Sequence, residues 1–239
     1  VKQTTDESGA STGGNVSVIV YEDEAKSSIV DEIHGVLWGG NVEGNVSVEV
    51  TNVDENRFIG GIKYGTVEGD ISVKTENNTV SNCIYGVASL YDGAYGVAKG
   101  NVSVSNKGGN VSNIYGVTGG IAYGNVSVKT EDGTNGSVHG LAGGEVYGNV
   151  EVSTKNSDIA RGMVCGVYYG TVGKASNAAG ELVGGNVTVT AYADEDYAIC
   201  VAKGNESLLK VINEVIEELK ANGKIDEYVI KHTGAASEK

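Results

Sequence analysis

Apolar and polar positions alternate with a period of two in short strings that recur along the chain. Gly-Asn-Val-Ser-Val stands at 14–18, 44–48, 100–104 and 124–128. Variants stand at 69–73 (GDISV), 148–152 (GNVEV) and 185–189 (GNVTV). Within a string the valines share one face while Asn and Ser share the other, the pattern of a half-buried strand. The strings begin 30, 25, 31, 24, 24 and 37 residues apart, which gives a unit of about 24 residues with insertions. A second element precedes most strings: IHGV at 33–36, IYGV at 84–87 and 114–117, VHGL at 138–141 and VCGV at 164–167. Between the two lies a third, glycine-bounded segment, such as GGIAYG at 119–124 or GGEVYG at 143–148.

One such unit cannot bury its valine face alone. Stacked units can, with the valines forming columns through a continuous core. The expectation is an all-β chain: a parallel β-helix (β-solenoid) of about 24-residue coils, neighbouring coils lying ~4.8 Å apart. The repeats carry no sustained helical period, and a propeller blade needs about 40 residues or more.

The pattern changes near residue 191. From 206 to 221, ESLLKVINEVIEELKA places Leu208, Leu209, Ile212, Val215, Ile216 and Leu219 on one helical stripe. Asn205 fits an N-cap and Gly223 a C′ residue, and a second short helix with Ile225, Tyr228 and Val229 inward is expected after it. An open stack of strands exposes unpaired edges, so this segment reads as a C-terminal helical cap. The expected division is a polar linker over 1–13, the repeat domain over 14–204 and the cap and tail over 205–239.

Composition narrows the function. The chain has 37 Gly, no Pro and 13 Tyr among 239 residues, which suits short strands between tight bends rather than disorder. A formal net charge of −14 argues against nucleic-acid or anionic-membrane binding, since both need basic patches. The first 14 residues are polar and show no signal-peptide pattern, as expected of a mature, processed chain or of one trimmed for expression. Cys83, Cys165 and Cys200 form no CxxC pair, and read as small buried apolar residues rather than as a disulfide framework or a zinc site.

Two resemblances add to this. VHGLAGGEVYGNVEV (138–152) and IYGVTGGIAYGNVSV (114–128) resemble the GLUG-type repeats of bacterial surface and secreted proteins, over about 14–190. That resemblance implies a stalk or adhesive module. DEDYAICVAKGNESLLKVINEVIEELKANGKIDEYVIKH (194–232) resembles the C-terminus of bacterial amino-acid-type solute-binding lipoproteins of ABC importers. It covers about 40 of 239 residues and implies an exported bacterial protein of the kind that carries a lipid anchor.

The candidate residues follow from the repeat. His34 and His139 align in a slot that Tyr85, Tyr115 and Cys165 fill elsewhere, so they read as fillers of a partly polar position rather than as a metal pair. Acidic groups at Glu22–Glu24, Asp54–Glu55, Glu131–Asp132 and Asp194–Asp196 read as solvated loop charge, without calcium-loop spacing. The Asn-x-Ser/Thr sequons are by-products of the repeat. Asn15, Asn45, Asn101, Asn125, Asn149 and Asn186, with Asp70 in the same slot, should stack as a ladder beside a serine row. The surface candidates are therefore Asn45, Ser47, Asn101, Ser103, Asn125 and Ser127. No catalytic residue, metal site or cofactor is expected. The function expected is a non-enzymatic bacterial cell-surface or secreted module, adhesive or structural, with a cell-surface carbohydrate or protein as partner. A solute-binding component related to ABC amino-acid import is the alternative, and a polysaccharide-active enzyme the second alternative.

Overall fold

The computed structural model of the chain describes residues 4–5, 11–12, 14–21, 31–54, 56–89, 93–159, 162–173, 185–192, 206–225 and 227–228. Glu22–Glu24, Glu55, Asp194–Asp196, Cys200, Asn205 and Val229 lie outside the described residues. Residues 1–194 form one unit and 195–239 another.

Strands dominate the first unit. At its start β1 (Thr4–Thr5) and β2 (Ser11–Thr12) pair antiparallel within the segment expected to be a plain linker. The pair is made by backbone bonds between polar residues, which an apolar pattern cannot announce. The repeats then follow. After β3 (Val16–Tyr21) come β4 (Glu32–Val36), β5 (Gly40–Val42) and β6 (Val46–Thr51). Next are β7 (Asn56–Ile62), β8 (Gly65–Val67) and β9 (Ile71–Glu76), then β10 (Thr79–Ala88), β11 (Gly96–Ala98) and β12 (Val102–Lys107). The best-kept repeats give β13 (Asn110–Thr118), β14 (Gly120–Ala122), β15 (Val126–Glu131), β16 (Thr134–Val146) and β17 (Val150–Lys155). The last gives β18 (Asp158–Ile159), β19 (Val164–Val172) and β20 (Val187–Tyr192).

Corresponding strands of successive repeats pair with one another, all parallel. The Gly-Asn-Val-Ser-Val strings form a seven-stranded sheet in the order β20-β17-β15-β12-β9-β6-β3. The other strands form an eleven-stranded sheet, β4-β7-β10-β13-β16-β14-β11-β8-β5, with β18 and β19 also on β16. β16 is long enough to serve both rows of that sheet, pairing with β13 and with β14.

Register fixes the core. Val46, Ile71, Val102, Val126, Val150 and Val187 fall in one row, and Val48, Val73, Val104, Val128, Val152 and Val189 in the next inward row. Most are buried and join the residues of the other sheet, such as Ile59, Ile84, Ile114 and Val138, in one cluster. At β20 the inward valines Val187 and Val189 are 44% and 45% exposed. Each repeat also has a glycine at the close approach of the two sheets. A Cβ on Gly116 would sit inside contact distance of Val126 Cγ1 and 2.5 Å from the carbonyl oxygen of Gly140. Gly35, Gly61, Gly86, Gly140 and Gly166 hold the same position against the first valine or isoleucine of their own repeats. That is why the second element reads x-Gly-Val.

The third inward position departs from the valine rule. Val50, Thr75, Asn106, Thr130 and Thr154 share one row, all buried. Thr75 Oγ1 donates to Asn106 Oδ1 at 2.8 Å, and Asn106 Nδ2 reaches Gly108 O at 3.1 Å. Asn78 closes the neighbouring corner, accepting from Val53 N–H and donating to Val50 O, both at 2.8 Å. After this position the chain turns through left-handed backbone at Asn52, Asn77, Gly108, Asp132 and Asn156, with φ of 57, 53, 65, 55 and 48°. Asn, Asp and Gly are the residues that tolerate that conformation. Glu131 thus belongs to β15, and Asp132 to a repeating turn, rather than to an inserted acidic loop.

In the second unit α1 (Glu206–Ala221) follows the sequence pattern closely. Leu209, Ile212, Ile216 and Leu219 are its less exposed apolar residues, whereas Leu208 and Val215 are exposed. Gly223 takes a left-handed φ of 70°, as a C′ residue should. Residues 224–225 and 227–228 are again helical, with Tyr228 exposed. No helix among the described residues is long and apolar enough to cross a membrane.

Candidate functional site

The outer face of the seven-stranded sheet carries three rows set by register. Ser17, Ser47, Ser72, Ser103, Ser127, Glu151 and Thr188 form the first. Ile19, Glu49, Lys74, Ser105, Lys129, Ser153 and Thr190 form the second, and Tyr21, Thr51, Glu76, Lys107, Glu131 and Lys155 belong to the third. Lys155 Nζ lies 3.4 Å from Glu131 Oε1. A shallow hollow of about 260 Å³ runs along these rows between Lys74 and Lys155. The serine row is the part of this face that the repeated string announces directly. The charged rows were legible in the continuation of the string, VSVKTE at 126–131 and ISVKTE at 71–76, whose fourth and sixth letters also face outward.

Asn45, Asn101 and Asn125 are exposed and stand in the expected ladder. Their geometry assigns the ladder a definite job. Asn15 Oδ1 accepts the backbone N–H of Asn45 at 2.8 Å, and Asn45 Oδ1 that of Asp70 at 2.8 Å. Asp70 Oδ1 accepts from Asn101 N–H at 2.7 Å, and Asn101 Oδ1 from Asn125 N–H at 2.9 Å. Asn125 and Asn149 continue it to Asn149 and Asn186, at 2.9 and 3.2 Å. The slot needs an acceptor oxygen, so Asp70 serves as well as Asn. Within the ladder, side chain meets side chain at a longer 3.3 Å, from the Asn101 amide to the Asp70 carboxylate and from the Asn125 amide to that of Asn101. The asparagines therefore bind repeat to repeat, and Ser47, Ser103 and Ser127 with the charged rows are what the face presents to solvent.

The histidine slot is a row of the eleven-stranded sheet: His34, Gly60, Tyr85, Tyr115, His139, Cys165. The two histidines stand at separate places along it. Because Gly60 has no side chain, the Tyr85 ring lies over it, and Tyr85 Oη reaches His34 Nδ1 at 2.8 Å. His34 Nε2 meets Glu32 Oε2 at 3.0 Å. Glu32 also pairs with Arg57 and lies 4.0 Å from Lys63. A neutral imidazole satisfies both contacts, with Nε2–H donating to Glu32 and Nδ1 accepting from Tyr85. Burial pushes the His34 pKa down, against the opposing pull of Glu32, and Lys63 adds to the lowering. Glu32 is raised by burial, but His34, Arg57 and Lys63 together hold it below its ordinary value. The His34 side chain is 4% exposed and that of Glu32 24%, so the Glu–His–Tyr chain is covered at its imidazole and reaches solvent at its carboxylate end. His139 is lowered by burial and packs on Tyr115 and Tyr168, with ring centroids 5.4 and 5.5 Å away. Burial raises the Cys83 thiol to about 12, against a weaker opposing pull from Lys63, which keeps it protonated at neutral pH. Among the described residues, no group of three or more His, Cys, Asp and Glu could hold a metal ion. No protein-family model, curated protein or solved structure matches the chain.

Proposed function

We propose that residues 14–204 are a parallel β-helix serving as a non-enzymatic bacterial cell-surface or secreted module, adhesive or structural in role. The observation that carries this reading is the unbroken outward register of the seven-stranded sheet. Serine hydroxyls beside alternating Glu and Lys make a long, flat, hydrogen-bonding strip suited to the hydroxyl groups of a surface carbohydrate or the polar surface of a protein. The strand order supports the winding: every neighbour in that sheet is one repeat away and parallel. The likeness of 114–152 to GLUG-type repeats, and of 194–232 to exported solute-binding lipoproteins, supports an extracellular, lipid-anchored setting.

The test is binding of the purified full chain to immobilised surface polysaccharides, beside a Ser47→Arg/Ser103→Arg/Ser127→Arg variant. These positions face outward, so the fold should persist while saturable binding is lost. Tight one-to-one heat with free amino acids and no polysaccharide binding would replace this reading by solute binding. New reducing ends in the polysaccharide would replace it by an enzyme.

A further inference from the structure

Apart from the valine core, a second apolar cluster sits on the opposite face of β10. Cys83, Tyr85 and Ala88 are buried in it, with Phe58 and Tyr115 packed against them. Together they wall a hollow of about 320 Å³, rimmed by Lys63, Asn82, Ser89 and Thr118. We propose that this hollow binds a small planar ring compound carrying one anionic group, such as an aromatic carboxylate.

Four features argue for that class. The volume lies at the lower end of the ~300–1,000 Å³ range of small-molecule sites, enough for one ring system. The walls are aromatic, and aromatic faces favour offset or edge contact with another ring. They are also fixed before any ligand arrives, because the bond from Tyr85 Oη to His34 Nδ1 pins the Tyr85 ring over Gly60. The rim is rich in donors, and Lys63 is the one charged side chain lining the hollow among the described residues. Its ammonium sits 5.0 Å from the Phe58 ring centroid and 4.0 Å from Glu32 Oε2, at the outer limit of an ion pair. Glu32 is already taken by His34 and Arg57. Lys63 therefore retains capacity for an anion, and the floor, with Cys83 protonated, offers no competing charge.

The experiment titrates the full chain with indole-3-carboxylate and, separately, with its neutral carboxamide, by calorimetry and by chemical-shift mapping. The carboxylate should bind one-to-one and about tenfold tighter than the amide, the size of one charge-assisted contact. Lys63→Gln should abolish that preference while leaving amide binding as it was, and Lys63→Arg should keep it. Thr118→Trp, which fills the hollow from its rim, should block both probes without lowering the melting temperature. The proposal is overturned if neither probe binds at millimolar concentration. Equal affinity of wild type for carboxylate and amide, or an unchanged preference in Lys63→Gln, overturns it as well. The wild-type comparison decides the matter even where a variant fails to fold.

Discussion

In the first two inward rows of the seven-stranded sheet and in its asparagine ladder, residues one repeat apart are the same residue or a close substitute. On the outer face of the eleven-stranded sheet, the row His34, Gly60, Tyr85, Tyr115, His139, Cys165 changes identity at nearly every step. Both faces are built by the same parallel stacking. The first uses it to multiply one contact, so each asparagine repeats the bond of the one before. The second uses an exception, the bare Gly60, to let a tyrosine reach a histidine two repeats away. Repetition gives the chain its rigidity, and departures from repetition give it local chemistry.

Two glycines test that contrast most strongly. Gly116→Ala drives a methyl group against Val126 and the Gly140 carbonyl, neither of which can yield, so it should cost about 3 kcal/mol. Gly60→Ala meets the Tyr85 ring, a side chain that can move once its bond to His34 breaks, and should cost about 2 kcal/mol while exposing that tyrosine. Urea unfolding gives both numbers, and tyrosine ultraviolet absorbance reads the exposure. Equal costs would break the distinction between a packed seam and an adaptable row.

A smaller effect separates the acceptor role of the ladder from a mere polar surface. Asn125→Ala removes the acceptor for Asn149 N–H and should cost about 1 kcal/mol. Asn125→Asp retains it, as Asp70 does naturally, and should cost less than half as much. If urea unfolding finds the two variants alike, the Oδ1 bonds contribute nothing.

The smallest effect is the pH response of the irregular row. His34 and His139 are both held below the ordinary histidine value of about 6.5. The unfolded chain therefore takes up protons first, and stability should decline as pH falls from 7 toward 5. The charged neighbours, Glu32 and Lys63 at His34, add little in that window. Glu32 stays ionised until lower pH, where its own contribution is lost as pH falls. A His34→Gln/His139→Tyr variant should flatten the decline, measured by denaturant titration at each pH. An unchanged slope would assign it elsewhere.

Much of the fold was legible because a repeat states its packing rule several times over. Val102, Val126 and Val150 occur at one place in the string, and the structure buries them in one row at 1% exposure each. The helical stripe and Gly223 were equally readable, since a 3.6-residue period and a left-handed C′ position are local properties. The buried Thr75–Asn106 row was not, because alternation marks a position as inward without saying that a polar residue will find a partner there.

By itself, then, the sequence determined the strand strings, their spacing, the valine face and the asparagine slot, all of which depend on residues within one repeat. Only the tertiary structure decided that an asparagine oxygen bonds the next repeat's backbone and that Glu and Lys alternate across strands. It alone placed Tyr85 over Gly60 against His34, with an aromatic hollow beside them. These contacts join residues 24 to 51 positions apart. Insertions of varying length intervene, so their meeting is fixed by strand register, a quantity that no local pattern contains.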